Sequence, residues 1–140
     1  MSISTFLNRR YPTNLSHLLL KCGTDVLVGP SGQLEQSSFN HIARQCVELF
    51  TSVTIVSSAG IKAGWESSVG QGRDVGAFFG DKEYAAVGAR HLLQKWGDAF
   101  AIAPYRREIA QIWVTPVNLN DQDERDRIST AIRFCLRHCV

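Results

Sequence analysis

A chain of 140 residues holds one domain's worth of core, because domains cluster near ~100–150 residues. With 44% hydrophobic and 20% charged residues, the composition excludes a disordered or collagen-like chain. The 15 basic and 13 acidic side chains leave a formal charge of +2 and are interleaved along the whole length, which argues against a basic domain that binds nucleic acid through phosphate contacts.

The first ten residues lack a basic stretch followed by ~7–15 apolar residues, so no secretory leader is expected. The longest apolar runs fall far short of the ~20 residues that a bilayer core needs. The expectation is a cytoplasmic protein with no membrane partner. Cys22, Cys46, Cys135 and Cys139 are expected as free thiols, since a core of this size needs no staples.

Residues 1–32 read as a helical and short-strand extension of a single domain spanning 1–140. Leu15, Leu18, Leu19 and Cys22 fall at helical spacing, with Gly23 placed to stop that helix. Asp25 to Val28 reads as a short strand, and Gly29-Pro30-Ser31-Gly32 as a turn. From Ser37 or Ser38 a helix is predicted to about Phe50, with Phe39, Ile42, Ala43, Cys46, Val47 and Phe50 on one stripe. Thr51 to Ser57 is β-branched and predicts a strand. The alternation Ala63, Trp65, Ser67, Val69 predicts a second, and Arg73, Val75, Ala77, Phe79 a third, with the glycines of Gly60–Gly80 leaving a long loop as the other reading of the tract.

Asp81 can cap a helix to about Trp96 that buries Ala85, Ala89, Leu92, Leu93 and Trp96, with Gly97 as its stop. Ala99–Ala103 and Ile109–Thr115 read as a hairpin around Pro104-Tyr105-Arg106-Arg107. The last helix is capped by Asn120 or Asp121, has acids in its first turns and bases in its last, and carries the stripe Ile128, Ala131, Ile132, Cys135, Leu136, Cys139. The fold expected is α+β, an antiparallel sheet of about five strands built from a three-strand meander and a hairpin, packed with helices. The order of elements is similar to that of the small secretion chaperones and, more loosely, of roadblock and other profilin-like sensor domains. No motif carries that similarity, and it assigns no family.

Three places offer chemistry. Cys135, His138 and Cys139 could converge on one side of a helix, but the thiols also extend its apolar stripe and lack paired Cys-x2-Cys spacing, so no metal site is expected. No organic cofactor is expected either. The stretch Gly70, Gly72, Arg73, Asp74 could hold an anion through backbone N–H groups and a guanidinium, with His91 as a proton carrier. It matches neither the dinucleotide nor the P-loop pattern. Ser57 and Ser58, at a strand end before Gly60, stand where nucleophiles often sit, without a G-x-S-x-G motif.

Tyr105, Arg106, Arg107, Trp113 and Trp65 are the candidates for contacts to a protein partner, because Tyr, Trp and Arg dominate interface hot spots. An edge strand at Ile109–Thr115 would also suit a homodimer. The leading expectation is a small non-catalytic protein that works by binding another macromolecule, of the immunity, secretion-chaperone or regulatory-adaptor type. The alternative is a ligand-sensing or enzymatic domain that binds an anionic ligand along Gly60–Gly80.

Overall fold

The computed structural model describes residues 16–70, 80–102 and 106–138. Among them are two strands, β1 (His17–Cys22) and β2 (Ser52–Ser57), and six helices. The helices are α1 (Thr24–Leu27), α2 (Gln36–Leu49), α3 (Gly60–Gly70), α4 (Asp81–Phe100), α5 (Pro116–Asn120) and α6 (Gln122–His138).

The two strands pair in parallel, in a register that runs from His17 opposite Ser52 to Cys22 opposite Ser57. Parallel neighbours cannot be joined by a tight turn, and the crossover here is α1, the turn Gly29–Gly32 and α2. Gly32 takes φ 76° and its N–H donates to the Gly29 carbonyl at 2.9 Å, the left-handed conformation for which glycine is suited. Leu18, Leu20 and Cys22 of β1 and Val53 and Ile55 of β2 lie against the core, while Leu19 and Val56 are exposed on the other face.

The core is built where α2 meets α4. Phe39, Leu27 and Cys46 are fully buried, and the Phe39 ring meets Trp96 edge-on with centroids 4.8 Å apart. Gln36 fastens the same two helices by donating to the Lys95 carbonyl at 2.8 Å. Of the predicted stripe, Phe39, Ile42, Ala43, Cys46 and Phe50 are buried and Val47 packs half-buried against the core. Ala89, Leu92 and Trp96 of α4 are likewise buried.

Several expectations are corrected. The antiparallel five-strand sheet is replaced by a two-stranded parallel one, because the partner of the 52–57 strand is the 17–22 segment that helical spacing had assigned to a helix. Val28 keeps only an isolated antiparallel bridge to Leu34, and residues 24–27 coil into α1 instead of a strand. The alternation at 63–69 belongs to a helix, α3, whose small residues Gly60, Ala63, Gly64 and Ser67 recur at helical spacing. The 73–79 strand lies outside the described residues. Gly97 does not stop α4, which continues to Phe100, so Ala99 and Phe100 are helical and no hairpin begins there. Residues 106–115 form neither strand nor helix. The secretion-chaperone and profilin-like order rested on that antiparallel sheet and falls with it.

The C-terminal helix forms as expected, with Asp121 Oδ1 accepting from the Glu124 N–H at 2.9 Å. Its stripe is only half covered, and neither α5 nor α6 buries a residue. No described helix is long and apolar enough to cross a membrane. Stability should accordingly reside in the α2–α4 core. Phe39→Ala is expected to cost about 3–5 kcal/mol, whereas Trp113→Ala should stay within about 0.5 kcal/mol; urea denaturation followed by far-ultraviolet circular dichroism checks both.

Candidate functional site

Because β1 and β2 are parallel and flush at their ends, the chain leaves both strands at the same edge. In open parallel sheets, ligands bind outside the carboxyl ends of the strands. Here β1 exits through Lys21-Cys22-Gly23-Thr24 into α1, and β2 exits through Ser57-Ser58-Ala59 into α3. The two exits are stitched together. The Ser58 N–H and hydroxyl donate to the Cys22 carbonyl at 3.3 and 3.4 Å, and the Thr24 hydroxyl donates to the Ser58 carbonyl at 3.5 Å.

Lys21 and Ser58 are exposed at this edge, and Gly23 and Thr24 are half-buried. Ser57 contributes a hydroxyl oxygen that is fully buried and has no hydrogen-bond partner among the described residues. Ala59 accepts the first helical bond of α3, from the Ala63 N–H at 2.9 Å, but its methyl group cannot cap the N–H groups of Gly60, Ile61 and Lys62. Uncapped N–H groups at the start of a helix, with the positive end of its dipole, attract anions. Lys21 adds a full positive charge.

One side chain holds α3 against the crossover. Glu66 accepts from the Leu34 N–H at 3.0 Å and pairs with Lys62 at 3.3 Å. Lys62 also lies 4.9 Å from the centroid of the Trp65 ring. The thiols are not available as nucleophiles. Burial pushes the Cys22 thiol up from its ordinary value, and burial together with the neighbouring Cys22 takes Cys46 to about 11. Both stay protonated at neutral pH, and a protonated thiol is a poor nucleophile. What this edge can do is hold negative oxygen.

The residues singled out from sequence are dispersed. Gly72, Arg73, Asp74, Tyr105 and Cys139 lie outside the described residues. Gly70 ends α3. His91, on α4, meets the Ser67 hydroxyl of α3 at 2.7 Å. Arg106 is exposed, and Arg107 is fastened to the far end of β2, its N–H donating to the Phe100 carbonyl and its guanidinium to the Thr51 carbonyl. Trp113 is exposed on the irregular segment 106–115, and Trp65 is exposed on α3, the helix that follows the opposite end of β2. Cys135 is a half-buried free thiol, and the His138 ring packs on Phe134 with centroids 4.4 Å apart. Among the described residues no three His, Cys, Asp or Glu side chains cluster.

Ser57, Ser58 and Gly60 were legible as strand-end residues. Lys21, Gly23 and Thr24 were missed. Their signal is the apolar triplet Leu18-Leu19-Leu20, then Lys21-Cys22, then a glycine followed by Thr-Asp: a strand that turns into a helix start. A shallow depression between α2 and the end of α4, lined in part by Asn40, His41, Arg44 and Phe100, is open to solvent and gathers no converging charge of one sign.

No family model matches the chain. It is similar to the glutamate 5-kinase of Vibrio vulnificus (strain YJ016), 34% identical over 122 residues that make up 82% of this chain and 31% of that protein. It is similar to glutamate 5-kinase 2 of Pseudoalteromonas translucida (strain TAC 125), 30% identical over 125 residues, 84% of this chain and 33% of that one. With the glutamate 5-kinase of Proteus mirabilis (strain HI4320) it shares 36% identity over 110 residues, 76% of this chain and 29% of that one. The chain spans about a third of the length of the curated relatives it matches. These relatives carry the names of enzymes, which overturns the expectation of a non-catalytic, regulatory protein-binding module. The similarity favours the enzymatic alternative, and of the described residues of the Gly60–Gly80 tract it is Gly60 that stands at the strand ends.

The thiol environment yields a pH dependence. The folded protein holds the Cys46 proton more tightly than the unfolded chain, so this share of stability is intact below pH 9.0 and is lost as the pH rises towards about 11. The melting temperature should fall across that interval, and fall less in Cys46→Ala. At neutral pH iodoacetamide should label Cys135 well before Cys22 or Cys46, as peptide mass spectrometry would report.

Proposed function

We propose that this chain forms part of a phosphoryl-transfer site of the glutamate 5-kinase kind, in which the carboxyl ends of β1 and β2 hold the anionic groups of the reaction. One observation carries the reading. Lys21, Thr24, Ser58 and the start of α3 are brought to a single edge by the parallel pairing of the two strands. The similarity to named kinases supplies the class of reaction.

In such a reaction a carboxylate oxygen of glutamate attacks the terminal phosphorus of a nucleoside triphosphate, and the bond from that phosphorus to the bridging oxygen breaks. Both the donor and the acceptor are negatively charged. Catalysis of phosphoryl transfer is largely positioning and electrostatic stabilisation, and these are what the strand ends offer. Lys21 neutralises charge on the phosphoryl oxygens. The N–H groups at the start of α3 donate to an oxyanion, while the Ser58 hydroxyl, which donates to the Cys22 carbonyl, ties the exit of β2 to β1. The reading goes with a cytoplasmic location.

The test is ligand binding by the wild-type chain. ATP is expected to raise the melting temperature, since a ligand that binds only the native state stabilises it by mass action. Lys21→Ala, at an exposed position, should leave the unliganded melting temperature unchanged and weaken ATP roughly tenfold or more, the loss of one charge-assisted contact. Absence of any response of the wild-type chain to millimolar ATP or L-glutamate would overturn the reading.

A further inference from the structure

The start of α3 is only as well placed as the surface behind it, and that surface is the main chain of α4. At the crossing of the two helices a β carbon on Gly88 would stand 2.9 Å from the Gly60 carbonyl carbon and closer still to the Gly60 oxygen and the Gly64 nitrogen. A β carbon on Gly64 would stand 2.7 Å from the Tyr84 carbonyl carbon and 3.0 Å from the Gly88 nitrogen. Real β carbons essentially never come under 3.0 Å from such atoms. The obstacles are backbone, which cannot swing aside as a side chain would. Ala59, Ala63 and Ala89 are buried beside the crossing.

Glycine is the least favourable helix residue after proline, so two of them in helix interiors need a reason. Here the reason is proximity. The residue that Gly88 meets is Gly60, the first of α3 and two after Ser58. Ser58 is itself held to β1 only by bonds of 3.3 and 3.4 Å, long for hydrogen bonds. Any outward push on the Gly60 carbonyl therefore passes straight into the N–H groups at the helix start and into Ser58.

We infer that Gly88 is a positioning residue: the absence of a side chain there sets how deeply the start of α3 sits against the end of β1, and so the geometry of the anion-holding edge. This inference rests on the function proposed above. Gly88 touches no substrate and acts through Gly60. A methyl group at 88 would displace the start of α3 by about 1 Å, a misplacement that can cost on the order of a hundredfold at a site that works by alignment. Gly97, further along the same helix, is a natural control, since a β carbon there would meet only the Ile109 side chain at an ordinary 3.5 Å.

The experiment compares ATP affinity, by isothermal titration, in the wild-type chain, Gly88→Ala, Gly97→Ala and the core variant Ile42→Val. The last lies on α2, outside the two crossing helices, and supplies a destabilised control. Gly88→Ala is expected to lose at least tenfold in affinity at a temperature where its circular dichroism is native. Gly97→Ala and Ile42→Val should bind as the wild type does. Wild-type affinity in Gly88→Ala, or an equal loss in Ile42→Val, would sink the positioning role while leaving the proposed function standing. A wild-type chain that ignores ATP would remove both. A second readout needs no variant to fold: in wild-type ¹⁵N spectra, ATP should shift the amide signals of Gly60–Lys62 together with those of Gly64 and Gly88, and leave Gly97 in place. Unmoved Gly64 and Gly88 signals would count against the inference.

Discussion

Two strands that run in parallel must be joined by a crossover that returns the chain to its starting edge, and nearly everything else in this protein accommodates that requirement. The β1–β2 register is flush, Cys22 opposite Ser57. Both carboxyl ends therefore open at one edge, and both lead within three residues into a helix. The crossover supplies α1, the Gly29–Gly32 turn and α2, and α2 brings Phe39 to the ring of Trp96. The edge is in turn held by contacts reaching across the chain: Glu66 to the Leu34 N–H, Thr24 to the Ser58 carbonyl, Gln36 to the Lys95 carbonyl. An antiparallel meander would have put alternate strand ends on opposite edges. It would have scattered the groups that the parallel pair collects.

Cysteine serves as a hydrophobe in this arrangement. Cys46 lies at the centre of the core and Cys22 at its boundary with the candidate site, and burial keeps the protons of both. A charged or polar side chain at Cys22 would have to be desolvated against Leu27 and the α2 stripe. A thiol gives small volume and low polarity next to an edge built to receive charge.

What the sequence disclosed divides according to the distance over which each residue's partners act. The long helices α2 and α4 were legible because large apolar residues recur every third or fourth position and cover one another within the same helix face. The dipole-matched ends of α6 were legible for the same local reason. The segment 17–22 was not, because Leu18, Leu19 and Cys22 satisfy helical spacing while Leu18, Leu20 and Cys22 equally satisfy a strand face, and a six-residue run cannot separate the two. Its partner is 35 residues away, and no local signal reports it. The segment 60–70 was misread for a different reason. Its buried face is made of Gly60, Ala63, Gly64 and Ser67, residues that register as weak hydrophobes or as turn formers, so the large residue between them, the exposed Trp65, dominated the pattern. Glycines that looked like breakers are instead what lets α3 and α4 meet backbone to backbone.

The two helix starts at the strand ends are not equivalent, and the difference decides which of them can accept an outside anion. The first turn of α1 contains Asp25, whose carboxylate already answers the positive end of a helix only four residues long. A second anion there would meet like charge as well as a small dipole. The first turn of α3 contains no acid and begins an eleven-residue helix, with Ala59 unable to cap it. Lys62, the base in that turn, is engaged by Glu66 at 3.3 Å, so among the described residues of this edge the exposed Lys21 offers a side-chain charge and the backbone N–H groups a fixed one. A chain with a net charge of only +2 cannot draw an anionic substrate by its overall field. Selection has to come from the fixed donors, whose position is set by how closely α3 is allowed to approach α4.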